Sequence, residues 1–447
     1  MHPTASIGEK IWLFLKLVWP MTITQFALLG GSFIAVFLTG QYGTIDLAGM
    51  SVGYNIWIAF YMGAMGTLLG ITPIISQLLG ARKTDNIATI VQQGLVIATA
   101  IGMALVVLGI LALNPFLQYL NLEPAAREVT VAYLKAFAIG LFPILWGCTL
   151  RNTIDSHGLT AYSMATVVFT FFLNIFFNYG LILGHFGMPA LGGVGAGYAV
   201  AITIWVNCLI FALICHFHPK LKAYKMLSQW HGLEWTYIRE QLAIGIPIGF
   251  SIFFEGSIFS IAGLLMVQFG TLVVAAHQAA ISFTNIFYCF PLSISMAATI
   301  AVAYELGAKK YKEARQYAWI ARITAIFIAI LLCSYSFTHM NEIAGLYTND
   351  PEVFELILSF LSYAVFFAVI DAFGTPLQGI LRAYKDVQII STIALISYWG
   401  VGISLAYILT MVIPMGPYGV WIGLLSSVVV ASILYTIRTW WIQRKLN

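Results

Sequence analysis

The feature that most restricts this chain is the recurrence, from end to end, of apolar runs. Each is roughly 20 residues long, enough to cross a hydrocarbon core ~30 Å thick. The runs are apolar all round rather than alternating with period two, which disfavours a transmembrane β-barrel and leaves the helix as the way to satisfy every backbone group in lipid. Composition points the same way. Of 447 residues, 60% are hydrophobic and 9% charged, and the mean hydropathy is +0.91. A soluble domain carries about 25% charged residues, so this chain has too few to coat itself in water. The fold class is an all-α membrane protein.

Dividing the chain at its polar breaks predicts spans at 13–38, 52–78, 90–112, 130–153, 161–184 and 192–216, then 241–268, 277–303, 317–338, 355–382, 388–411 and 417–440. With the N-terminus inside, 19 of the 21 Lys and Arg residues fall on the inner side, all but Arg127 and Lys135. The positive-inside rule therefore predicts both termini in the cytoplasm. The opening MHPTASIGEK lacks the pattern of a removable signal peptide, so the first helix is expected to serve as the insertion signal. Basic residues are scattered among short loops, a distribution that does not suggest a nucleic-acid partner. The five cysteines lie in or beside apolar segments with no paired spacing, so no disulfide framework or CxxC site is expected.

The two sets of six spans resemble each other. Pro20 lies 227 residues before Pro247, and the same offset pairs Gln41-Tyr42-Gly43-Thr44 with Gln268-Phe269-Gly270-Thr271 and Leu79-Gly80-Ala81 with Leu306-Gly307-Ala308. Slightly further apart, Leu150-Arg151 and Asp155 pair with Leu381-Arg382 and Asp386. With six helices each, both copies enter the membrane from the same side. The expectation is two six-helix lobes, 1–220 and 241–447, joined by a cytoplasmic linker at 221–240. A pseudo-two-fold axis along the membrane normal would relate them, an arrangement suited to alternating access. Pro20 and Pro247, near the starts of spans one and seven, each remove a helical hydrogen bond and are expected to bend their helices.

Two carboxylates lie deep within the predicted spans, Glu255 and Asp371. A charge at the centre of a membrane helix costs at least ~2.5–3.5 kcal/mol. Neither acid has an obvious basic partner in its own helix, so both are candidates for reversible protonation or for holding a small cation. On the tenth span Asp371, Thr375 and Gln378 form an i, i+4, i+7 stripe that continues to Arg382. On the eighth, Gln278, Ser282 and Asn285 repeat the spacing, and Ser251 lies four residues before Glu255. Residues so spaced share a helix face, which predicts a hydrated cavity in the second lobe. The competing reading is a hydrogen-bond network that only glues helices. Amides and hydroxyls could do that without carboxylates. Gly193-Val194-Gly195-Ala196-Gly197 has the look of a phosphate loop but no preceding strand, so close helix packing is the better reading.

GQYGTIDLAG and VQFGTLVVAAHQAA, the two LGA(R/K)K copies, GGVGAGYA and LRAYKD together resemble the multidrug and toxic compound extrusion (MATE) family, in its bacterial branch. The resemblance spans the whole chain. It implies a multi-pass protein of the bacterial inner membrane, acting as a monomer in the lipid bilayer, with no cofactor. It further implies efflux of amphiphilic, mainly cationic drugs and dyes against inward H+ or Na+. Glu255 in FFEGSIF and Asp371 in VIDAFG match the carboxylates the family uses. Asn174 and Asn178 in LNIFFNYG, with Thr203, match a cation site in the first lobe. Two positions depart from the pattern: Ala35 stands where many bacterial members carry an aspartate, and Phe367 where a tyrosine is frequent. Without that aspartate the first-lobe site has no charge, so coupling is expected to run through the second lobe, with H+ favoured over Na+.

Three other functions fit the sequence less well. A lipid-linked precursor flippase of the same superfamily would need a cationic cavity, and no Lys or Arg lies deep in a predicted span. A major facilitator transporter also has six plus six helices, but QLLGARKTDN after the second span lacks that family's acidic residue and basic ladder. A membrane-embedded enzyme would need a nucleophile–base pair or metal cluster, and neither HExxH nor GxSxG occurs.

Overall fold

The structure, a computed structural model, describes residues 6–119, 122–348 and 350–446; the first five residues of the opening MHPTASIGEK lie outside them. No strand occurs among the described residues. The principal helices of the first half are α1 (Ile7–Tyr42), α2 (Thr44–Gly80), α3 (Ile87–Gln118), α4 (Pro124–Ala138), α5 (Leu141–Ser156), α6 (Thr160–Leu183) and α7 (Gly193–Phe217). Those of the second half are α8 (Trp235–Phe269), α9 (Thr271–Gly307), α10 (Tyr311–Thr338), α11 (Pro351–Ala383), α12 (Val387–Val412) and α13 (Tyr418–Lys445). Eleven of these are each long and apolar enough to cross a membrane, and the pair α4–α5 makes a twelfth. Counting that bent pair as one span, length and composition give the twelve expected spans among the described residues.

The helices outrun the apolar stretches that announce them. Their hydrogen bonding continues until a residue that breaks it, whatever the surrounding polarity. The α1–α2 and α8–α9 junctions fall at matched glycines, Gly43 and Gly270. Gly270 takes φ +95°, a conformation that strains any residue with a Cβ. The fourth span differs from expectation in being broken, with a 47° bend between α4 and α5. Pro143 is the physical cause: it has no N–H to donate to the Ile139 carbonyl, and its ring crowds that oxygen. The freed carbonyl instead accepts from Trp205 Nε1 at 2.9 Å. The glycines of α7 pack closely, as read from sequence. A Cβ on Gly195 would stand 2.3 Å from the Leu181 carbonyl oxygen, so no larger residue fits there.

The chain divides into two compact units. One comprises the chain up to Thr22, Gly80–Arg82 and the chain from Phe250 on; the other comprises Ile23–Leu79 and Lys83–Gly249. The divisions fall two residues after Pro20 and two after Pro247, both of which sit inside continuous helices. Thus α1 and α8 each give their first turns to one unit and the remainder to the other. In the first unit, buried Lys10 of α1 pairs with Glu313 of α10. In the second, Gln241 Nε2 of α8 donates to the Ile90 carbonyl of α3 at 2.8 Å. His277 is 2% exposed and lies edge-on to Trp421.

Candidate ion-coupling site

Helix α11 carries most of the polar side chains. Asp350 Oδ1 accepts from the Glu352 amide at 2.9 Å and Pro351 supplies the first helical residue, which sets where the helix begins. The helix then continues through Pro376 to Ala383, so Asp371, Thr375, Gln378 and Arg382 fall along one face. All four are buried. Thr375 Oγ1 donates to Asp371 Oδ1 at 2.9 Å. Gln378 Nε2 donates to Glu255 Oε2 at 3.1 Å, and the Gln378 amide oxygen accepts from Arg382 Nη2 at 3.2 Å. From α9, the Tyr288 hydroxyl donates to Glu255 Oε1 at 3.1 Å. Both oxygens of Glu255 are thereby held by donors, an arrangement that suits the carboxylate anion.

The packing behind this network is close. A Cβ on Gly379 would stand 2.1 Å from the Ser295 carbonyl oxygen of α9. The missing side chain lets α9 and α11 approach, which brings Tyr288 and Gln378 to the same carboxylate. Helix α12 winds as a π-helix over Leu395–Ile403, a form that recurs at functional sites. Its Trp399 Nε1 donates to Ser257 Oγ of α8 at 2.9 Å, two residues beyond Glu255. Tyr398 in the same turn is buried. Phe367 packs edge-on against Phe259, with ring centroids 5.6 Å apart, where a tyrosine would carry a hydroxyl.

The residues expected from sequence are thus partly brought together. Glu255 joins Gln378 by a direct bond, and Asp371 joins Thr375. Ser251 is buried one turn before Glu255. Gln278 and Asn285 are exposed and Ser282 half-buried along one face of α9. Ser282 Oγ donates to the Gln278 backbone carbonyl at 2.9 Å, and among the described residues no hydrogen bond links this trio to either acid. Tyr288 continues that same stripe three residues past Asn285, a signal the spacing alone does not single out. Arg382 is the end of the α11 stripe, where basic residues ordinarily reach for the interface.

In the other unit, Asn178 Nδ2 donates to Asn174 Oδ1 at 2.8 Å, and Asn174 Nδ2 to Thr203 Oγ1 at 3.4 Å. The three are buried together, and the Asn178 amide oxygen is left without a donor. Ala35 lies in an apolar cluster with Leu38, Met50, Tyr133, Phe137, Ile182 and Ala196. This first-lobe site is neutral: amides and a hydroxyl, with no carboxylate among them.

Asp371 lies two turns before Gln378, the α11 residue that bonds Glu255, and the two acids are near enough to act on each other electrostatically. Such a pair can hold exchangeable cations or protons at two points, one on α8 and one on α11.

Comparison with known proteins fits this architecture. The MatE family profile matches residues 20–180 and again 247–408, two copies that begin 227 residues apart, as the internal repeat does. The probable multidrug resistance protein NorM of Halalkalibacterium halodurans is 40% identical, over 100% of this chain and 98% of its own. That of Bacillus subtilis is 38% identical, over 100% and 99%. Among solved structures, the eukaryotic MATE transporter AtDTX14 superposes with TM-score 0.87 at 19% identity, covering 98% of both chains. A MOP superfamily transporter from Pyrococcus furiosus, described as having a binding pocket of reverse polarity that suggests a different function, superposes with TM-score 0.88 at 17% identity, covering 100% and 99%. With the family profile matched in both halves and relatives alike over the full length, the chain belongs to the MATE family, in its NorM-like branch.

Proposed function

We propose that this protein is a secondary antiporter that exports amphiphilic, mainly cationic drugs and dyes in exchange for inward H+ or Na+, by alternating access. The observation that carries the reading is the pair of buried carboxylates, Glu255 and Asp371, each held by polar donors within one helical unit. The fold alone does not carry it, because a transporter of the same fold is described as having a pocket of reverse polarity. What matters is the sign of the charge in the pocket. A carboxylate attracts an organic cation or a coupling cation but not both at once, so binding of one favours release of the other. The neutral first-lobe amides and Ala35 support coupling through Glu255 and Asp371, with H+ favoured over Na+. The NorM relatives, named as probable multidrug resistance proteins, support the drug class of the cargo.

In this reading the protein works as a monomer in the bacterial inner membrane with both termini in the cytoplasm. Two six-helix lobes, 1–220 and 241–447, joined by the linker 221–240, alternate access by rocking one against the other. Pro20 and Pro247 are the bends at which the first and seventh spans adjust.

The test is reconstitution. In proteoliposomes, dye efflux is driven separately by ΔpH and by ΔNa+ in wild type, Glu255→Gln, Asp371→Asn and the double variant. Each substitution is expected to abolish gradient-driven efflux while the protein remains monodisperse. Undiminished transport by the double variant would sink the proposal.

A further inference from the structure

We infer that Arg382 is a built-in counter-cation for Glu255, and that it divides the labour between the two acids. Glu255 stays charged and sets the field of the site, while Asp371 takes up and releases the coupling cation. The inference rests on the proposed antiport but assigns a role to a residue outside the acidic pair.

The carriers are geometric. Arg382 is 6% exposed, one Nη donates to Gln378, and its Nε has no hydrogen-bond partner. An arginine does not shed its proton in a protein, so a permanent positive charge sits at the C-terminal end of α11 and needs an anion. The Gln378 amide supplies the connection. Its oxygen faces the guanidinium and its nitrogen faces Glu255, at 3.2 and 3.1 Å. The opposite orientation would set NH2 against N–H at one end and oxygen against carboxylate at the other, so the two charges fix the amide between them. A guanidinium on the amide oxygen also polarises the amide and strengthens its bond to the carboxylate. Asp371 stands apart from this relay, bonded instead to the neutral hydroxyl of Thr375.

The ionisable groups around Glu255 come from every helix packed there. Tyr288 of α9 bonds it directly. Tyr398 of α12 and Tyr435 of α13 are near enough to interact with it electrostatically, as are Arg382 and, acting on Asp371, Glu255 itself. Among these, Arg382 alone brings a positive charge. Without it, two buried carboxylates would repel each other, and both would compete for the driving cation.

The experiment measures binding of a fluorescent cationic dye to the full-length protein in detergent, titrated separately with H+ and with Na+. The readout is the cation concentration that releases half the dye. In Arg382→Gln this concentration is expected to fall about tenfold, because an opposite charge near a carboxylate shifts its cation affinity by at least that much. Arg382→Lys, which keeps the charge, is expected to stay near wild type. Glu255→Gln/Arg382→Gln, which removes both charges together, is expected to return to it, and Asp371→Asn to abolish the cation's effect in every background.

An unchanged midpoint in Arg382→Gln, or Lys and Gln variants altered alike, would mean that Arg382 merely ties helices, and the inference fails. It fails also if Asp371→Asn still responds to the cation. Should Arg382→Gln not fold, the neutral double variant decides: a midpoint far from wild type overturns the inference. Wild-type binding that answers to neither cation overturns the antiport reading and this one with it. A normal wild-type response with failed Arg382 arms overturns this one alone.

Discussion

Replacing Gln378 by leucine removes one side chain from the middle of the relay while keeping its length and helix propensity. Two hydrogen bonds are lost, each to a charged group. Such bonds are worth about 1.5–3 kcal/mol. At 3.1 and 3.2 Å both lie at the long end of the usual range, so the lower figure applies to each. The expected cost is about 3 kcal/mol. An opposing argument is that side-chain hydrogen bonds in membranes average only about 0.6 kcal/mol, because the partners find substitutes. Here substitutes are scarce: Arg382 Nε is already without a partner, and Tyr288 already occupies the other oxygen of Glu255. The larger figure should therefore win.

Equilibrium unfolding of the full-length protein in SDS, followed by tryptophan fluorescence, measures this difference. A double-mutant cycle with Glu255→Gln then separates the bridge from its ends. The two substitutions should be non-additive by at least about 1 kcal/mol, since the second removes a partner the first has already stranded. A loss below about 1 kcal/mol for Gln378→Leu, or strict additivity in the cycle, would refute the view that this amide joins two buried charges.

Two further outcomes are expected. Ala35→Asp places a carboxylate in the apolar cluster around Met50 and Phe137; it should destabilise by about 2.5–3.5 kcal/mol in the same unfolding assay, and an unchanged midpoint would mean that the pocket holds water. For orientation, the five native cysteines are replaced and single cysteines introduced as Lys222→Cys and Glu123→Cys. In intact cells an impermeant maleimide should label the second and spare the first, and the reverse pattern would invert the topology.

Apolar runs of membrane length settle helix number and approximate bounds, because lipid allows the backbone few alternatives. The break in the fourth span was legible in principle from Pro143, but the runs on either side merge into one hydropathy maximum. The 227-residue repeat was visible because matched residues stand at matched helix positions. Glu255 and Asp371 stood out because a charge is rare and costly where they lie.

What the sequence by itself determined, then, is the class of the chain, its helices, its duplication and the two acids worth asking about. Only the tertiary structure decided who answers them. Periodicity tells which side chains share a face of one helix, but not which faces of different helices meet. Gln378 on α11, Tyr288 on α9 and Glu255 on α8 converge because glycines such as Gly379 let backbones approach, and no spacing within one helix contains that fact. The same limit explains Gln278 and Asn285, whose spacing is as regular as that of the α11 stripe but whose face is exposed. It explains Arg382 most clearly. At the end of a span it reads as an interfacial cation, and it becomes part of the site only when its guanidinium is seen turned inward onto Gln378.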